Sequence, residues 1–136
     1  MSKLLFLRLR EKTIVENRGF LDLKVWQRSK DLAIKIYKAT GDGKFKKDLS
    51  LTDQLRRASV PISTNIAEGD ERETDKEAVR YLYIAKGSAA ELLTQLIIAH
   101  EINYLDKNLF EDLEDDCQAI SGMLFRLISS RSKTFK

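Results

Sequence analysis

The sequence is poor in the residues that build metal centres and nucleophilic active sites. Its 136 residues include one cysteine and one histidine. Because Cys117 has no partner, an intramolecular disulfide is excluded, and with His100 it cannot supply the ligands of an ordinary four-coordinate zinc site. With one histidine and one cysteine, the chain also has few residues from which a catalytic triad could be built. We therefore expect a protein that is not an enzyme, binds no metal or cofactor, and works in the reducing cytoplasm.

Turn-forming residues and long apolar runs are also scarce. One proline and six glycines leave room for few turns, which favours long helices over many short strands. No stretch approaches the roughly 20 apolar residues that cross a bilayer. The apolar run at 4–7 is broken by Arg8 and Arg10, unlike the core of a signal peptide. We predict a soluble domain without a membrane partner, and the 33% of charged residues fits that class.

The first half of the chain predicts two amphipathic helices. Apolar residues recur at steps of three and four in both. We predict that the first helix begins at Asp22 as its N-cap and runs to about Thr40. The second is predicted from Leu49 to Glu68. Gly69 would end it in the left-handed position that glycine adopts without steric cost.

The second half predicts two longer helices. Thr74 and Glu77 have the spacing of a capping box, which marks the start of the third helix, and nothing forbids that helix from continuing to Asn103. Asp106 is the predicted cap of the fourth helix, which runs to about Ser130. Four helices with short connections predict an all-α, antiparallel up-down-up-down, left-handed four-helix bundle. We assign it to residues 20–132, with 1–19 as an N-terminal extension.

Pro61 and Gly87 lie inside predicted helices, where both residue types are unfavourable. Proline lacks the N–H that would bond the carbonyl of Arg57, at a cost of roughly 3 kcal/mol in a helix interior. Glycine costs about 1 kcal/mol relative to alanine. We predict that Pro61 bends the second helix against a close-packed surface of small residues on the third, at 87–90.

Three ordered segments carry a resemblance to a known family. They are LDLKVWQRSKDLAIKIYKAT at 21–40, QLRRASVPISTNIAEG at 54–69 and IAKGSAAELLTQLIIAHEINYL at 84–105. Together they resemble the four-helix-bundle proteins encoded in intervening sequences of bacterial 23S ribosomal RNA genes. The likeness covers roughly residues 20–130. In the region of Pro61, the order Ser59-Val60-Pro61-Ile62-Ser63 departs slightly from the family pattern.

The resemblance implies an oligomer with a nucleic-acid role. Family members form ring-like homopentamers, and a related branch, the accessory variability protein of diversity-generating retroelements, associates with a reverse transcriptase and nucleic acid. None of the family motif positions is an established catalytic residue. Those positions correspond here to Trp26, Gln54, Arg56, Arg57, Asn65, Glu68, Gly69, Gly87, Ser88 and Glu91.

Basic side chains supply the candidate nucleic-acid contacts. Arginine forks and lysines suit phosphate oxygens, and Lys76 and Arg80 are spaced to share one helical face. A structural alternative for Arg56 or Arg57 is an ion pair with Glu91 or Glu68. For the other residues, the alternative is that a run of basic side chains most often forms a solvent-exposed face of a helix. The tentative set is Arg56, Arg57, Arg72, Lys76, Arg80 and Lys86.

Two function classes therefore stay open. The first is a nucleic-acid-binding protein that contacts RNA or DNA through its basic surface. The second is an interaction scaffold that recruits a partner such as a reverse transcriptase. Excess apolar residues on the first and third helices favour an oligomer in either case: Tyr37, Tyr83, Leu93 and Ile97. The acidic residues at 111–116 could mimic a metal site, but a position near a helix N-terminus explains them without a metal.

Overall fold

The computed structural model describes residues 18–135 of the chain. Within that range all regular secondary structure is helical, and no strand occurs. This confirms the all-α prediction with four helices, while residues 1–17 of the predicted N-terminal extension lie outside the described range. The four α-helices are α1 (Lys24–Thr40), α2 (Leu49–Asp70), α3 (Asp75–Glu101) and α4 (Lys107–Ser132), and 3₁₀ turns occupy Gly19–Asp22 and Gly43–Lys47.

Three of the four helices begin at a side-chain cap. The Thr74 hydroxyl accepts from the N–H of Glu77, and the Asp106 carboxylate accepts from the N–H of Leu109, as predicted. Asp48 caps α2 in the same way, a role that we did not predict. Asp22 was wrongly predicted to cap α1. It belongs to the preceding 3₁₀ turn, and the N-cap position falls to Leu23 without a side-chain bond.

The core lies between the four helices. Helix α1 packs against α2 and α4, and α3 packs against the same two helices. Apolar residues at helical spacing on each inner face provide the buried surface that stabilises this arrangement. The largest fully buried side chains include Leu32, Ile36, Leu55, Ile62, Ile66, Leu92, Leu96, Leu113, Ile120 and Leu124.

Gly69 does not end α2 in the left-handed conformation that we predicted. The helix continues to Asp70, and Gly69 is buried within its last turn. A Cβ atom built at Gly69 would lie 3.1 Å from both the carbonyl oxygen of Ala78 and the Cβ of Tyr81. Glycine is therefore needed here because α2 passes close to the first turns of α3, a long-range constraint that the local sequence does not reveal.

Gly87 also departs from its predicted role. It is exposed, and a Cβ atom built there would meet no atom within 4 Å. Of the small residues at 87–90, only Ala89 is buried. Pro61 is half-buried inside a continuous α2, and the predicted close packing at Gly87 is wrong. The reason is that α3 turns Gly87 towards solvent.

The two loops at one end of the bundle are joined to each other. The Tyr104 hydroxyl, after α3, donates to the Asp48 carboxylate at the start of α2 over 2.9 Å. The Tyr104 ring also packs edge-on against Phe45, with centroids 5.2 Å apart. Lys44 donates to the carbonyl oxygen of Asn103. The α1–α2 and α3–α4 connections are thus held together by one polar and apolar cluster.

Helix α3 has an apolar composition that the sequence prediction underestimated. By length and composition alone, it is the one described helix that could cross a membrane. Part of this apolar surface is used inside the bundle, where Leu82, Leu92 and Leu96 are buried. Another part, including Tyr83, Ile84 and further isoleucines, is exposed. Helix α3 therefore contributes both to the core and to the apolar surface of the chain.

Candidate nucleic-acid interface

Arg56 is held by contacts within the chain. Its Nε donates to the Thr40 hydroxyl over 2.9 Å, and its guanidinium lies 4.5 Å from the centre of the Tyr37 ring. The Thr40 hydroxyl in turn donates to the carbonyl oxygen of Ile36. The predicted structural partners of Arg56, Glu91 or Glu68, were wrong, because the arginine instead crosses from α2 to the end of α1.

Arg57 points to solvent, with 80% of its side chain exposed. Its Nε is 2.7 Å from the Asp53 carboxylate, one turn earlier on the same helix. The predicted alternative of a pair with Glu68 or Glu91 does not apply to this arginine either. Exposed pairs at this spacing contribute only about 0.5 kcal/mol, so a phosphate group could compete for Arg57.

Arg72 is anchored at the corner between α2 and α3. It forms an ion pair with Glu68 and donates to the Tyr81 hydroxyl over 2.8 Å. The guanidinium also lies 4.7 Å from the centre of the Tyr81 ring. These contacts give both Arg72 and Glu68 a structural role. Together they fix the corner between α2 and α3, where Gly69 allows the two helices to approach closely.

Lys76 and Arg80 share the outer face of α3, and Lys86 lies at the edge of that face beside α4. Lys76 and Arg80 are exposed, Lys86 is half-buried, and none of them forms an ion pair with another described residue. The Arg80 guanidinium lies 5.6 Å from the Tyr81 ring, which leaves its donors available. Of the six candidate cations, these three have neither an ion pair nor a hydrogen bond to another described residue, whereas Arg56, Arg57 and Arg72 each have one.

A groove between α3 and α4 adds residues that the sequence analysis did not assign to a site. It has a volume of about 540 Å³. The Tyr83 and Phe125 side chains, 58% and 62% exposed, line it together with Lys86 and Lys133. Helical spacing places Tyr83 three residues after Arg80, but only the fold brings Phe125 of α4 beside it. The sequence signal was an aromatic residue on α4 outside its buried stripe.

The remaining motif residues have local structural roles. Trp26 is half-buried, and its ring packs edge-on against Phe20 with centroids 5.2 Å apart. Asn65 donates from its side chain to the carbonyl oxygen of Pro61 over 2.8 Å, so it satisfies its own helix. Ser88 is half-buried and Glu91 is exposed on α3.

Two acidic residues of α4, Asp112 and Asp116, pair with α1. Asp116 is buried and accepts from Arg28 and from Lys35, whose ammonium group also contacts Asp112 over 2.9 Å. Hydrogen bonds to the two carboxylates raise the pKa of Lys35. We call these four residues the α1–α4 seam. No group of acidic, histidine or cysteine side chains suited to a metal ion occurs among the described residues.

Cys117 and His100 are both placed by packing. Burial raises the pKa of the Cys117 thiol to about 12, with the negative charges of Asp116 and Glu114 adding to the effect. Such a thiol stays protonated and is a poor nucleophile. The His100 ring stacks on Phe110 at a centroid distance of 4.3 Å, and its Nδ1 lies 3.1 Å from the carbonyl oxygen of Leu105.

Comparison with known proteins agrees with this fold. The chain is similar to a crystal structure of a protein of unknown function from the S23 ribosomal protein family of Bacteroides thetaiotaomicron, with 23% identity and a TM-score of 0.71. The match covers 76% of this chain and 97% of that one. No curated protein matches the sequence. The model of the 23S rRNA-intervening sequence protein family matches residues 21–126. The chain therefore belongs to the 23S rRNA-intervening sequence protein family.

Proposed function

We propose that this protein is a non-enzymatic, cytoplasmic homo-oligomer that binds nucleic acid through the outer surface of α3. The observation that carries the proposal is the row formed by Lys76, Arg80 and Lys86, which has no carboxylate partner among the described residues. Cations left unpaired in this way can bind phosphate oxygens without first breaking an internal contact. Arg56 and Arg72 are less suited to the role, because internal contacts hold both.

The proposed architecture is an antiparallel, up-down-up-down, left-handed bundle. Contacts between α1 and α4 support opposite directions for these helices, since Lys35 reaches Asp112 whereas the earlier Arg28 reaches Asp116. A second contact joins the C-terminal ends of α2 and α4, where Arg131 pairs with Asp70, the last residue of α2. Short connections and a left-handed twist are typical of bundles with this order.

The proposed assembly is a ring-like homopentamer, as the family resemblance implies. Exposed apolar side chains support an oligomer: Tyr37, Ile97 and Ile98 are each at least a third exposed, whereas monomers seldom leave extended apolar patches uncovered. Light scattering at micromolar concentration should give five times the chain mass of 15.6 kDa. A mass equal to one chain would contradict the assembly.

Nucleic-acid binding is tested with the full chain and labelled RNA or DNA, by fluorescence anisotropy over a range of salt concentrations. We expect affinity to fall steeply with salt. Replacing Lys76, Arg80 and Lys86 together by glutamine should reduce the slope of log K against log salt by about 2 to 3, because each phosphate contact contributes about 0.7 to 0.9.

The matched control replaces Lys24, Lys46 and Lys47 by glutamine, which removes the same charge from exposed positions away from α3. This variant should keep most of the wild-type slope. Equal slopes for the two triple variants would mean that net charge, and not the α3 row, determines binding. Absence of binding at low salt would refute the proposed function.

A protein-interaction scaffold is the second candidate function. It is favoured by an apolar groove of about 480 Å³ between α1 and α2, lined by Ile34, Tyr37 and Val60 among others. A reverse transcriptase is the partner that the family resemblance suggests. Co-purification of a reverse transcriptase encoded beside this gene, lost on replacing Ile34 and Val60 by serine, would support the scaffold.

A further inference from the structure

The groove between α3 and α4 combines exposed aromatic rings with positive charge. Tyr83 and Phe125 are each more than half exposed, although aromatic side chains of this size usually gain stability from burial. Lys86 and Lys133 lie at the same groove, and its other lining residues are Ile128, Ser129 and Ser132. None of the described residues that line it is a carboxylate. The charge therefore favours an anionic partner that also presents apolar or aromatic surface.

Gly87 lies outside the groove lining but leaves the α3 backbone open near Tyr83. It lies one turn after Tyr83 on the same helical face, and it is exposed with empty space where a Cβ would lie. An exposed glycine inside a helix lowers stability by about 1 kcal/mol relative to alanine, and packing against the described residues does not explain it. A partner that approaches α3 closely beside the Tyr83 ring would explain it.

We propose that this groove binds nucleic acid with unpaired bases, which stack on Tyr83 and Phe125 while Lys86 and Lys133 hold the adjacent phosphates. This inference rests on the proposed nucleic-acid function and specifies its ligand as single-stranded RNA or DNA, or the loops of a folded RNA. Bases within a duplex are stacked on one another, so their faces are not available to side chains. Aromatic side chains beside a basic track are the usual means of binding single strands without sequence selection.

A second copy of this chain is a less suitable occupant of the groove. A subunit interface here would place Lys86 and Lys133 against another protein surface, where each would need a carboxylate partner to offset its loss of hydration. Lys76 and Arg80, on the same side of α3, extend the positive charge beyond the groove. Phosphate groups supply the complementary charge along the whole of this row.

The test compares a labelled oligouridylate of about 20 nucleotides with a labelled duplex of the same length, using the full chain. In the Tyr83→Leu/Phe125→Leu double variant, apolar surface is kept and the rings are lost. We expect single-strand affinity to fall at least about tenfold, since one stacked base is worth roughly five- to 100-fold. Duplex affinity should not change, because it depends on phosphate contacts.

Two further variants sharpen the result. Leu49→Ala removes an exposed apolar side chain at the start of α2, away from the groove, and should leave single-strand affinity unchanged. Gly87→Ala should weaken single-strand binding severalfold without lowering the melting temperature, because the added methyl group meets no atom of the described residues within 4 Å. A purely structural glycine would not produce that combination.

The outcomes separate this inference from the proposed function. If the wild-type chain binds neither probe, both fail. If it binds both probes and the double variant binds the single strand as tightly as the wild type, the inference fails while the proposed function stands. A double variant of lower oligomeric mass in light scattering would identify the groove as a subunit interface and would also overturn the inference.

Discussion

Gly69 and Gly87 are both helical glycines of the family motif, yet their surroundings are opposite. At Gly69 a methyl group would lie 3.1 Å from the Ala78 carbonyl oxygen, whereas at Gly87 it would meet nothing within 4 Å. The first glycine is therefore required by a neighbouring helix of the same chain. The second has no internal requirement. A helical glycine can thus be required by the packing of the fold in one place and lack such a requirement among the described residues in another.

The charged residues divide in the same way. In the α1–α4 seam, buried Asp116 has two cationic partners, and at the corner beside Gly69 the Arg72 side chain contacts both Glu68 and Tyr81. Along the outer face of α3, Lys76 and Lys86 have no such partner among the described residues. Charged residues that have a partner among the described residues maintain the fold, whereas those without one are available for binding.

The largest effect should come from Gly69→Val. The side chain would press against the α3 backbone at Ala78, and overpacking of this kind typically costs about 1–3 kcal/mol. We expect a loss of roughly 2–3 kcal/mol in the free energy of unfolding, measured by urea denaturation. Gly87→Val is the matched control and should change it by less than about 0.5 kcal/mol. Equal losses at both sites would refute the contrast between the two glycines.

The second-largest effect should come from alkaline pH, which should reduce the stability contribution of the buried Cys117 thiol. The folded Cys117 thiol keeps its proton to about pH 12, whereas the unfolded thiol loses it near pH 9.0. Its contribution is therefore complete below pH 9 and declines above it, by about 2 kcal/mol at pH 10.5. Cys117→Ala should flatten this decline in chemical denaturation at pH 8–10.5. The raised pKa values of Lys35 and Tyr104 act in the same direction at higher pH in both proteins.

Asp116→Asn should have a smaller effect on the seam. The change removes a nearly buried charge that accepts from Arg28 and Lys35, but both cations are about 40% exposed and can regain water. We expect a loss of about 1–2 kcal/mol in thermal denaturation. The exposed neighbour provides the control, since Asp115→Asn should be close to neutral. A neutral Asp116→Asn would show that the seam is not a stabilising feature.

The smallest effect, with the opposite sign, should come from Gly87→Ala. Alanine favours the helix by up to about 1 kcal/mol relative to glycine, and the open space at this position adds no clash. We expect an increase of about 0.5–1 kcal/mol in the free energy of unfolding. Destabilisation would place an unrecognised contact at Gly87.

Local sequence rules predicted most of the helical architecture. The caps at Thr74 and Asp106 follow from side chains that bond N–H groups three residues away, and the structure confirms both. The errors at Asp22, Gly69 and Gly87 have another origin. Each depends on neighbours that local rules do not include: a preceding 3₁₀ turn, a crossing helix, or the solvent face of α3.

The candidate site was predictable only in part for the same reason. Lys76 and Arg80 share a face by helical spacing alone. The pairing of Tyr83 with Phe125 across the groove requires the fold, because the two residues are more than 40 positions apart in sequence. Likewise, only the fold shows that Arg56 is held by Tyr37 and Thr40.

Asp48 links the two loops at one end of the bundle into a single cooperative unit. One carboxylate oxygen caps α2 through the N–H of Leu51, while the other accepts from Tyr104 of the α3–α4 loop. Opening of the α3–α4 loop therefore breaks the hydrogen bond between Tyr104 and Asp48, the residue that caps α2. Conversely, fraying of the first turn of α2 displaces Asp48 and releases Tyr104. Amide protons in the two loops should thus exchange through one shared opening, although almost the whole length of α2 and α3 separates them along the chain.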